Sequence, residues 1–566
     1  MDDLRDHTRS LLSGRMRAPE TVMRLDRMGA SFATRLSFMR TLMRRLHREK
    51  AVVKRRLWDM DADGYGRAVY TVTIARHAYS LVCFAHHLDP ANRTDRVIAE
   101  QWDATFTLYD GIPTTADMDR LAANVPLQEA GRVGPRELVL SRANKSARLF
   151  DAVVDALSAG QQPDLRQLFE TGYLMRTTAV YGNGKFGLAD RAALADRDGL
   201  TGAFQVEMLA VWLIRGFTHD LAEHVARARA PDTAVALSDD HKRALGIGNS
   251  TGLGMAPFVI AHPELIHAWV SARESALALV RALPVASRDE IAAFGTALAK
   301  AQDHVAAWIV PDPLQMTRIR ELRGDLTALA ALIRTGTLSG PNPWERLYQT
   351  AQAYGLEAQE CLVALMLEPY GALIDDLALG MQADTPARLN AGMTVAGLCA
   401  LIKLRYHWAL QVDFRAPAAS RQFWYVSEDK AEPRLGLRAE ERGADLELPL
   451  DVARQVQGLV QALVARATDE PLAFFLTARP DLRHVVERIQ TCASHPFGEV
   501  QGNLICATCR PIDLLRFKLA FFGATRFDPK SDRWTRITLC QGAPLAAEIA
   551  SADPDGWAFY APPAAG

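Results

Sequence analysis

The sequence has little cysteine, no excess of either charge and no long apolar run. Its 566 residues include seven Cys, too few for the disulfide framework of a small secreted domain. Lys and Arg total 65 and Asp and Glu total 66, so the chain shows no global bias toward nucleic acid or anionic membranes. No apolar run approaches the roughly 20 residues of a membrane-spanning helix. The acidic start lacks the basic-then-apolar order of a secretory signal. We therefore expect a cytoplasmic protein with reduced thiols and no membrane span.

What the chain does contain is ordinary globular composition, with 49% apolar and 23% charged residues. A chain of 566 residues is too long for one hydrophobic core, so we expect several domains. We predict a basic amphipathic helix plus an α+β segment over residues 1–134 and a helical core domain over 135–404. Residues 405–566 are predicted to form an α+β segment with a Cys/His cluster.

The hydrophobic patterning predicts a mainly α fold with α+β portions. The runs AVYTVTIA and YSLVCFAHHL are rich in β-branched and aromatic residues and predict an antiparallel hairpin. From Pro135 to Leu404 apolar residues recur at helical spacing, and two further hairpins are predicted after Arg405. The expected architecture is a long helical core flanked by antiparallel hairpin-containing segments at both ends. The similar order of elements at the two ends fits either two similar domains or one domain built from both termini.

The first 56 residues are strongly basic, with 15 Lys or Arg against six Asp or Glu. Between Ala30 and Lys50 apolar residues recur at three- and four-residue steps with arginines between them, which predicts a basic amphipathic helix. Such a helix can dock on the domain that follows and keep a solvated basic face. The alternative is contact with nucleic acid or a membrane surface.

A cluster of soft ligands near the carboxyl end has the spacing of a metal site. Cys492 and His495 form one close pair, and Cys506 and Cys509 form a second pair ten residues further on. Two such pairs can complete a tetrahedron around Zn²⁺, and four protein ligands indicate a structural rather than a catalytic ion. An iron–sulfur site is the alternative, and buried cysteines without a metal are the plainer interpretation.

The string RTTAVYGNGKFG, residues 176–187, contains glycines at the spacing of a dinucleotide fingerprint. The surrounding pattern predicts long helices without strand–helix alternation, so a Rossmann site is not expected. Freed backbone amides beside Arg176 and Lys185 suit a carboxylate or phosphate. Tyr181 and Asn183 add hydrogen-bonding groups. The plain alternative is a tight, glycine-dependent turn between helices.

A second glycine-rich string, GIGNSTGLGMAP, spans residues 246–257. Asn249, Ser250 and Thr251 are good helix N-caps, and the amino end of a helix attracts anions. We predict that this loop and the loop at Tyr181 line one pocket.

Two weaker signals involve histidines and a run of basic residues. His86 and His87 end a predicted strand, so one of them is expected to point inward as an acid–base group or a core histidine. Arg142, Lys145 and Arg148 stand at three-residue spacing and predict a cationic helix face, for an anionic substrate or for solvent.

These patterns together favour an enzyme that acts on a small anionic organic substrate by acid/base chemistry, of the lyase or isomerase type. Arg176, with Asn183 and the polar residues of the second string, is predicted to bind the substrate. Tyr181 and Lys185 are the predicted proton-transfer residues. One alternative is a metal-stabilised nucleic-acid-binding protein that uses residues 1–56. Another is a redox enzyme with a metal or iron–sulfur site at the cysteines.

Overall fold

The computed structural model describes most of the chain and leaves several segments undescribed. The described residues are 14–87, 102–126, 134–182, 185–186, 200, 202–252, 262–381, 389–416, 424–427, 433–435, 447–449, 452–502, 508–530 and 534–561.

One large mixed sheet organises these residues. Its strands are β1 (Val52–Met60), β2 (Gly66–Ile74), β3 (His77–Ala85), β4 (Ala104–Asp110), β5 (Glu137–Lys145), β6 (Tyr173–Gly182), β7 (Lys185–Phe186), β8 (Gly246–Gly252), β12 (Arg526–Pro529) and β13 (Trp534–Leu539). The order across the sheet is β1-β2-β3-β4-β5-β6-β8-β13-β12, and the short β7 pairs with β6. Strands β6 and β8 run parallel, whereas the other described pairs are antiparallel. A small separate sheet has the order β10-β9-β11 and consists of β9 (Trp424–Ser427), β10 (Pro433–Leu435) and β11 (Glu447–Pro449).

The described residues also form α-helices. In chain order they are α1 (Pro19–Val22), α2 (Leu25–Met28), α3 (Phe38–Arg48), α4 (Thr115–Asn124), α5 (Phe150–Ser158), α6 (Leu165–Thr171), α7 (Gln205–Arg229), α8 (Asp239–Ala244), α9 (Pro263–Arg281), α10 (Arg288–Ala306), α11 (Pro313–Arg334), α12 (Pro343–Ala351), α13 (Leu356–Leu367), α14 (Gly371–Ile374), α15 (Val395–Arg405), α16 (His407–Leu410), α17 (Val452–Leu463), α18 (Leu472–Ala478), α19 (Arg483–Ser494) and α20 (Pro511–Phe522). No helix in the described part of the chain is both long enough and apolar enough to cross a membrane.

The two faces of the sheet are covered differently. The 25-residue helix α7 packs on strands β3 to β6 and β8, and with α3, α9 and α20 it builds the main core. On the opposite face, α4 covers a smaller apolar cluster that includes Val82, Phe84 and Leu140. We call this second face the α4 face. A third cluster of buried apolar residues lies among α15, α17, α18 and α19.

The expected fold class is wrong, because the sheet is much larger than two terminal hairpins. The β2–β3 hairpin and the β12–β13 hairpin are present, but β13 pairs with β8 and thereby joins one sheet built from both ends of the chain. Strands β5, β6 and β8 also lie inside the stretch that was expected to be almost continuously helical. Short apolar runs such as ELVL in β5 do not distinguish a buried strand from a helix by their periodicity.

Close packing explains why β8 is rich in glycine. A Cβ on Gly246 would lie 2.2 Å from the Leu539 carbonyl oxygen of β13, and one on Gly248 would lie 2.5 Å from the Tyr173 ring. Both distances are far below van der Waals contact, so only glycine fits there. The glycines that suggested a loop are therefore what allows this strand to pack between its neighbours.

Candidate functional site

Strands β3 to β6 bring a row of polar side chains onto the α4 face, next to the apolar cluster. Thr105 lies opposite Phe84 on one side and opposite Arg142 on the other. Because residues two apart on a strand share a face, His86 lies on the same face as Phe84, and its amide continues the ladder by donating to Asp103. Two residues after Arg142 on β5, Asn144 lies opposite Arg176 of β6.

We call this set of side chains the polar strip. It consists of His86, Thr105, Arg142, Asn144 and Arg176. Adjacent strands are about 4.8 Å apart, so the strip is about 14 Å wide across β3 to β6 and a small organic molecule can contact groups on neighbouring strands.

His86 supplies the imidazole of the polar strip. Its Nε2 lies 3.0 Å from the Thr105 Oγ1. Burial lowers the pKa of His86, and the nearby Asp103 carboxylate offsets part of that effect. A lowered pKa keeps the imidazole neutral at neutral pH, which is the form that can accept a proton.

Arg142 and Arg176 supply positive charge from neighbouring strands. The Arg142 guanidinium carbon lies 4.0 Å from the centre of the Trp102 ring, a cation–π contact that holds the planar group in place. Arg176 is only 4% exposed. A guanidinium presents paired N–H donors that match a carboxylate or phosphate.

Asp103 fixes the end of β5 that carries Asn144. The Asp103 amide donates to the Asn144 Oδ1 at 2.9 Å, and the Asp103 Oδ2 accepts from the Lys145 amide at 2.8 Å. These bonds join the start of β4 to β5, so the positions of Asn144 and of the adjacent Arg176 are set by backbone pairing.

The parallel pair β6–β8 brings the two predicted glycine-rich strings together. Both strands run the same way, so their carboxyl ends, Gly182 and Gly252, lie toward the same edge of the sheet. The Asn249 side-chain Nδ2 donates to the Thr177 Oγ1 at 3.1 Å, and this hydroxyl donates to the Gly248 carbonyl at 3.3 Å. The expectation that both strings are loops between helices is wrong for their described residues, which form the adjacent strands β6 and β8 and the short β7.

The structure places the other predicted residues at the same edge or leaves them undescribed. By backbone register, Tyr181 lies opposite Leu140, and Lys185 lies opposite Gly182 in the β6–β7 hairpin. Ser250 and Thr251 are strand residues of β8 opposite Arg536 and Thr535, so they are not helix N-caps. Asn183 lies outside the described residues.

The described part of the glycine fingerprint lies in the β6–β7 hairpin. Strand β6, helix α7 and strand β8 form a parallel crossover, although the hydrophobic pattern predicts no strand–helix alternation here. However, β7 folds back antiparallel onto the end of β6, and α7 begins only at Gln205. Asn-Gly, the pair between β6 and β7 in the sequence, favours tight hairpins. In a dinucleotide site the glycines open the helix of the crossover, whereas Gly182, the described glycine of this fingerprint, ends β6.

The predicted zinc ligands are only partly described. Cys492, at the end of α19, is buried, and its Sγ lies 4.0 Å from the Glu499 carboxylate. Burial raises the pKa of the Cys492 thiol to about 12, which disfavours the thiolate. The His495 Nδ1 lies 3.0 Å from the Thr491 carbonyl oxygen. Cys509 is buried, and Cys506 lies outside the described residues.

In the part of the chain that the structure describes, no group of three His, Cys, Asp or Glu side chains could hold a metal ion. Zinc and iron–sulfur sites at the cysteines therefore stay predictions.

The basic amino-terminal helix is docked in the core. The apolar side of α3, which includes Leu42 and Leu46, is fully buried. Arg40 binds Glu368 in two hydrogen bonds of 2.6 and 2.8 Å, and Arg44 contacts Asp555 at 2.9 Å. These arginines contact carboxylates of the same chain. Nucleic-acid binding by residues 1–56 stays a prediction.

Sequence reasoning did not assign several members of the polar strip to the site. Arg142 was expected on a helix, and Thr105 and Asn144 received no role. The signal that could have found them is the alternation of Arg142 and Asn144 with Ala143 in a strand, where residues two apart share a face. Comparison with known proteins finds no matching family model, no matching curated protein and no matching solved structure.

Proposed function

We propose that the protein is an enzyme that binds a small anionic organic molecule against the polar strip and acts by acid/base chemistry. The observation that carries this proposal is the placement of three groups on one face of the sheet: the guanidinium groups of two neighbouring strands, β5 and β6, and the imidazole of the residue that continues β3. Cations and a proton acceptor on a rigid sheet are the equipment for binding a carboxylate or phosphate and moving a nearby proton.

In this proposal Arg142 and Arg176 bind the anionic group. A neutral His86 accepts a proton from the substrate, and Thr105 orients the ring. Tyr181 and Lys185 stay candidate proton donors, because the β6–β7 hairpin lies at the end of the same strand that carries Arg176. A lyase or isomerase would use such groups. By strand alternation, Ser250 is the β8 position on the face that carries Arg176, so Ser250 is proposed to contact the substrate. Asn249, which bonds Thr177, and Thr251 occupy positions of the other face and stay predicted substrate-binding residues.

The proposal includes a cytoplasmic location. The six described cysteines are free thiols, which fits a reducing compartment. No specific observation favours the nucleic-acid or the redox alternative.

A thermal-shift screen of small carboxylates and phosphates tests the proposal. A ligand that binds the folded state raises the melting temperature, and the shift grows with concentration. We expect Arg142→Ala and Arg176→Ala each to weaken binding of a hit about tenfold or more, because each removes a charge-assisted hydrogen bond. Arg166→Ala, on a side chain that is 84% exposed, is the matched control and keeps full affinity.

If Arg176→Ala fails to fold, Arg142→Ala still tests the proposal, because the Arg142 side chain is only half-buried. Titration of His86 by NMR gives an independent readout, since a bound anion raises the pKa of a neighbouring imidazole. Equal affinity in all three arginine variants, with no change at His86, would refute the polar strip as the site.

A further inference from the structure

A cavity away from the polar strip lies beside α3 and has a volume of about 290 Å³. Its walls come from the solvent side of α3, the residues that begin α7, the 3₁₀ turn at Asp375–Met381, and Pro554. This volume is at the lower end of the range for small-molecule pockets, about 300–1,000 Å³.

One wall of this cavity is basic. Arg44, Arg45, His47 and Arg48 of α3 all line it. Arg44 is engaged by Asp555 at 2.9 Å and by Asp375 at 3.3 Å. Arg48 is 69% exposed, and its closest described acid contact is 3.6 Å away, at Glu49.

Two aspartates, Asp375 and Asp376, line the cavity beside its arginines. Asp375 is bound by two arginines, since Arg35 also donates to both of its oxygens, at 3.0 and 2.7 Å. Asp376 is exposed. Burial, and then the neighbouring Arg48, lower the pKa of Arg45, which means that its surroundings disfavour the charged form. A bound anion would relieve that effect.

The rest of the lining is apolar. Phe38 and Met381 are buried in the floor. Leu379 also lines the cavity and is 65% exposed, and Ala378 lies next to it in the turn. A ligand with an apolar body would cover Leu379 and remove its surface from water.

From these observations we propose that the α3 cavity is a separate binding site for a small organic anion with an apolar body, such as a short-chain carboxylate. The carboxylate lies against Arg45 and Arg48, and the hydrocarbon part lies against Phe38, Leu379 and Met381. The site is independent of the polar strip and of the function proposed there.

Calorimetric titration of the full-length protein with octanoate tests this proposal. We expect one site, weaker binding of octanol, which lacks the charge, and weaker binding of inorganic phosphate, which lacks the apolar body. Arg45→Ala should weaken octanoate binding about tenfold or more, as expected for the loss of one charge-assisted hydrogen bond. Ala378→Trp should abolish binding by filling the cavity.

Arg48→Glu repeats the charge test on an exposed side chain, where folding is not at risk. Arg176→Ala should leave octanoate affinity unchanged, which separates this site from the polar strip. The proposal is overturned if octanol binds as tightly as octanoate, if no octanoate binding is detected, or if both Arg48→Glu and Ala378→Trp keep the original affinity.

Discussion

At the scale of single residues, buried charges tie the amino-terminal segment to the helical core. Glu360 of α13 is fully buried and accepts hydrogen bonds from Arg17 at 2.5 Å, from Arg27 at 2.8 Å and from Arg273. Burial alone would raise the pKa of Glu360, but Arg17 and Arg273 hold that pKa well below its usual range. The carboxylate therefore stabilises the fold above the unfolded-state pKa of about 4.3, and this contribution is lost as the pH falls.

Replacement of Glu360 by Gln should lower the free energy of unfolding by about 3–5 kcal/mol, because it leaves buried guanidinium groups without their shared counter-charge. Urea denaturation at pH 7 measures the change. Asp481→Asn removes an exposed partner of Arg479 and is the control, with an unchanged unfolding midpoint. A Glu360→Gln variant as stable as the parent would show that the network contributes nothing.

Lys518 of α20 provides a test of pH dependence. The side chain is buried, and burial lowers the pKa of Lys518 to about 7. The unfolded-state pKa is about 10.4, so between these values the unfolded chain binds more protons and stability rises with pH. Below about pH 7 the ammonium is charged in both states and its burial destabilises the fold fully.

We expect Lys518→Met to stabilise the protein by several kcal/mol at pH 6 and to have little effect above about pH 10.5. Denaturant unfolding at a series of pH values measures both. The same pH slope in the variant and the parent between pH 7 and 10 would contradict the account of this lysine.

At the scale of secondary-structure elements, β8 depends on glycine because its neighbours approach so closely. Gly246→Ala should destabilise the protein by about 1–3 kcal/mol, since the added Cβ overlaps the Leu539 carbonyl and forces β8 and β13 apart. Gly295→Ala is the matched control in α10, where a Cβ meets nothing within 4 Å. It should stabilise by about 0.5–1 kcal/mol through helix propensity. Thermal or denaturant unfolding of both variants gives the comparison. Equal stability of the two would show that the packing around β8 is loose.

The elements differ in how well the sequence predicts them, for physical reasons. The β2–β3 hairpin was predictable because its residues are β-branched or aromatic and its connection is short. Strand β8 was not predictable from the sequence, because close packing by its neighbours requires glycines and glycine is a poor strand former. In the candidate site, Arg176 was identified from its charge beside glycines. The members of the polar strip on β4 and β5 could not be identified in this way. They meet Arg176 only through the register of the strands, and no local sequence pattern shows that register.

At the scale of the whole molecule, the carboxyl-terminal segment completes structures begun by the amino-terminal segment. Strands β12 and β13 extend the sheet beyond β8, and Asp555 binds Arg35, Arg40 and Arg44 at 3.0, 2.8 and 2.9 Å. Contacts between positions so far apart in the chain form only when the whole chain has folded.

Deletion of residues 553–566 should therefore expose α3, because it removes the carboxylate that three of the arginines in this region share. We expect faster hydrogen exchange over residues 38–48 in the shortened protein. Deletion of residues 562–566 alone is the control and should leave that exchange unchanged. Unaltered protection of α3 in the longer deletion would show that Asp555 does not hold the two ends together.

The central claim is that the polar strip binds a small organic anion. Its most direct test is hydrogen–deuterium exchange of the full-length protein with and without a carboxylate or phosphate from the thermal-shift screen. We predict slower exchange in β5, β6 and β8, over residues 137–145, 173–182 and 246–252, and loss of that effect in Arg142→Ala. Protection confined to residues 38–48, or no protection of these strands by any ligand that stabilises the protein, would contradict the claim.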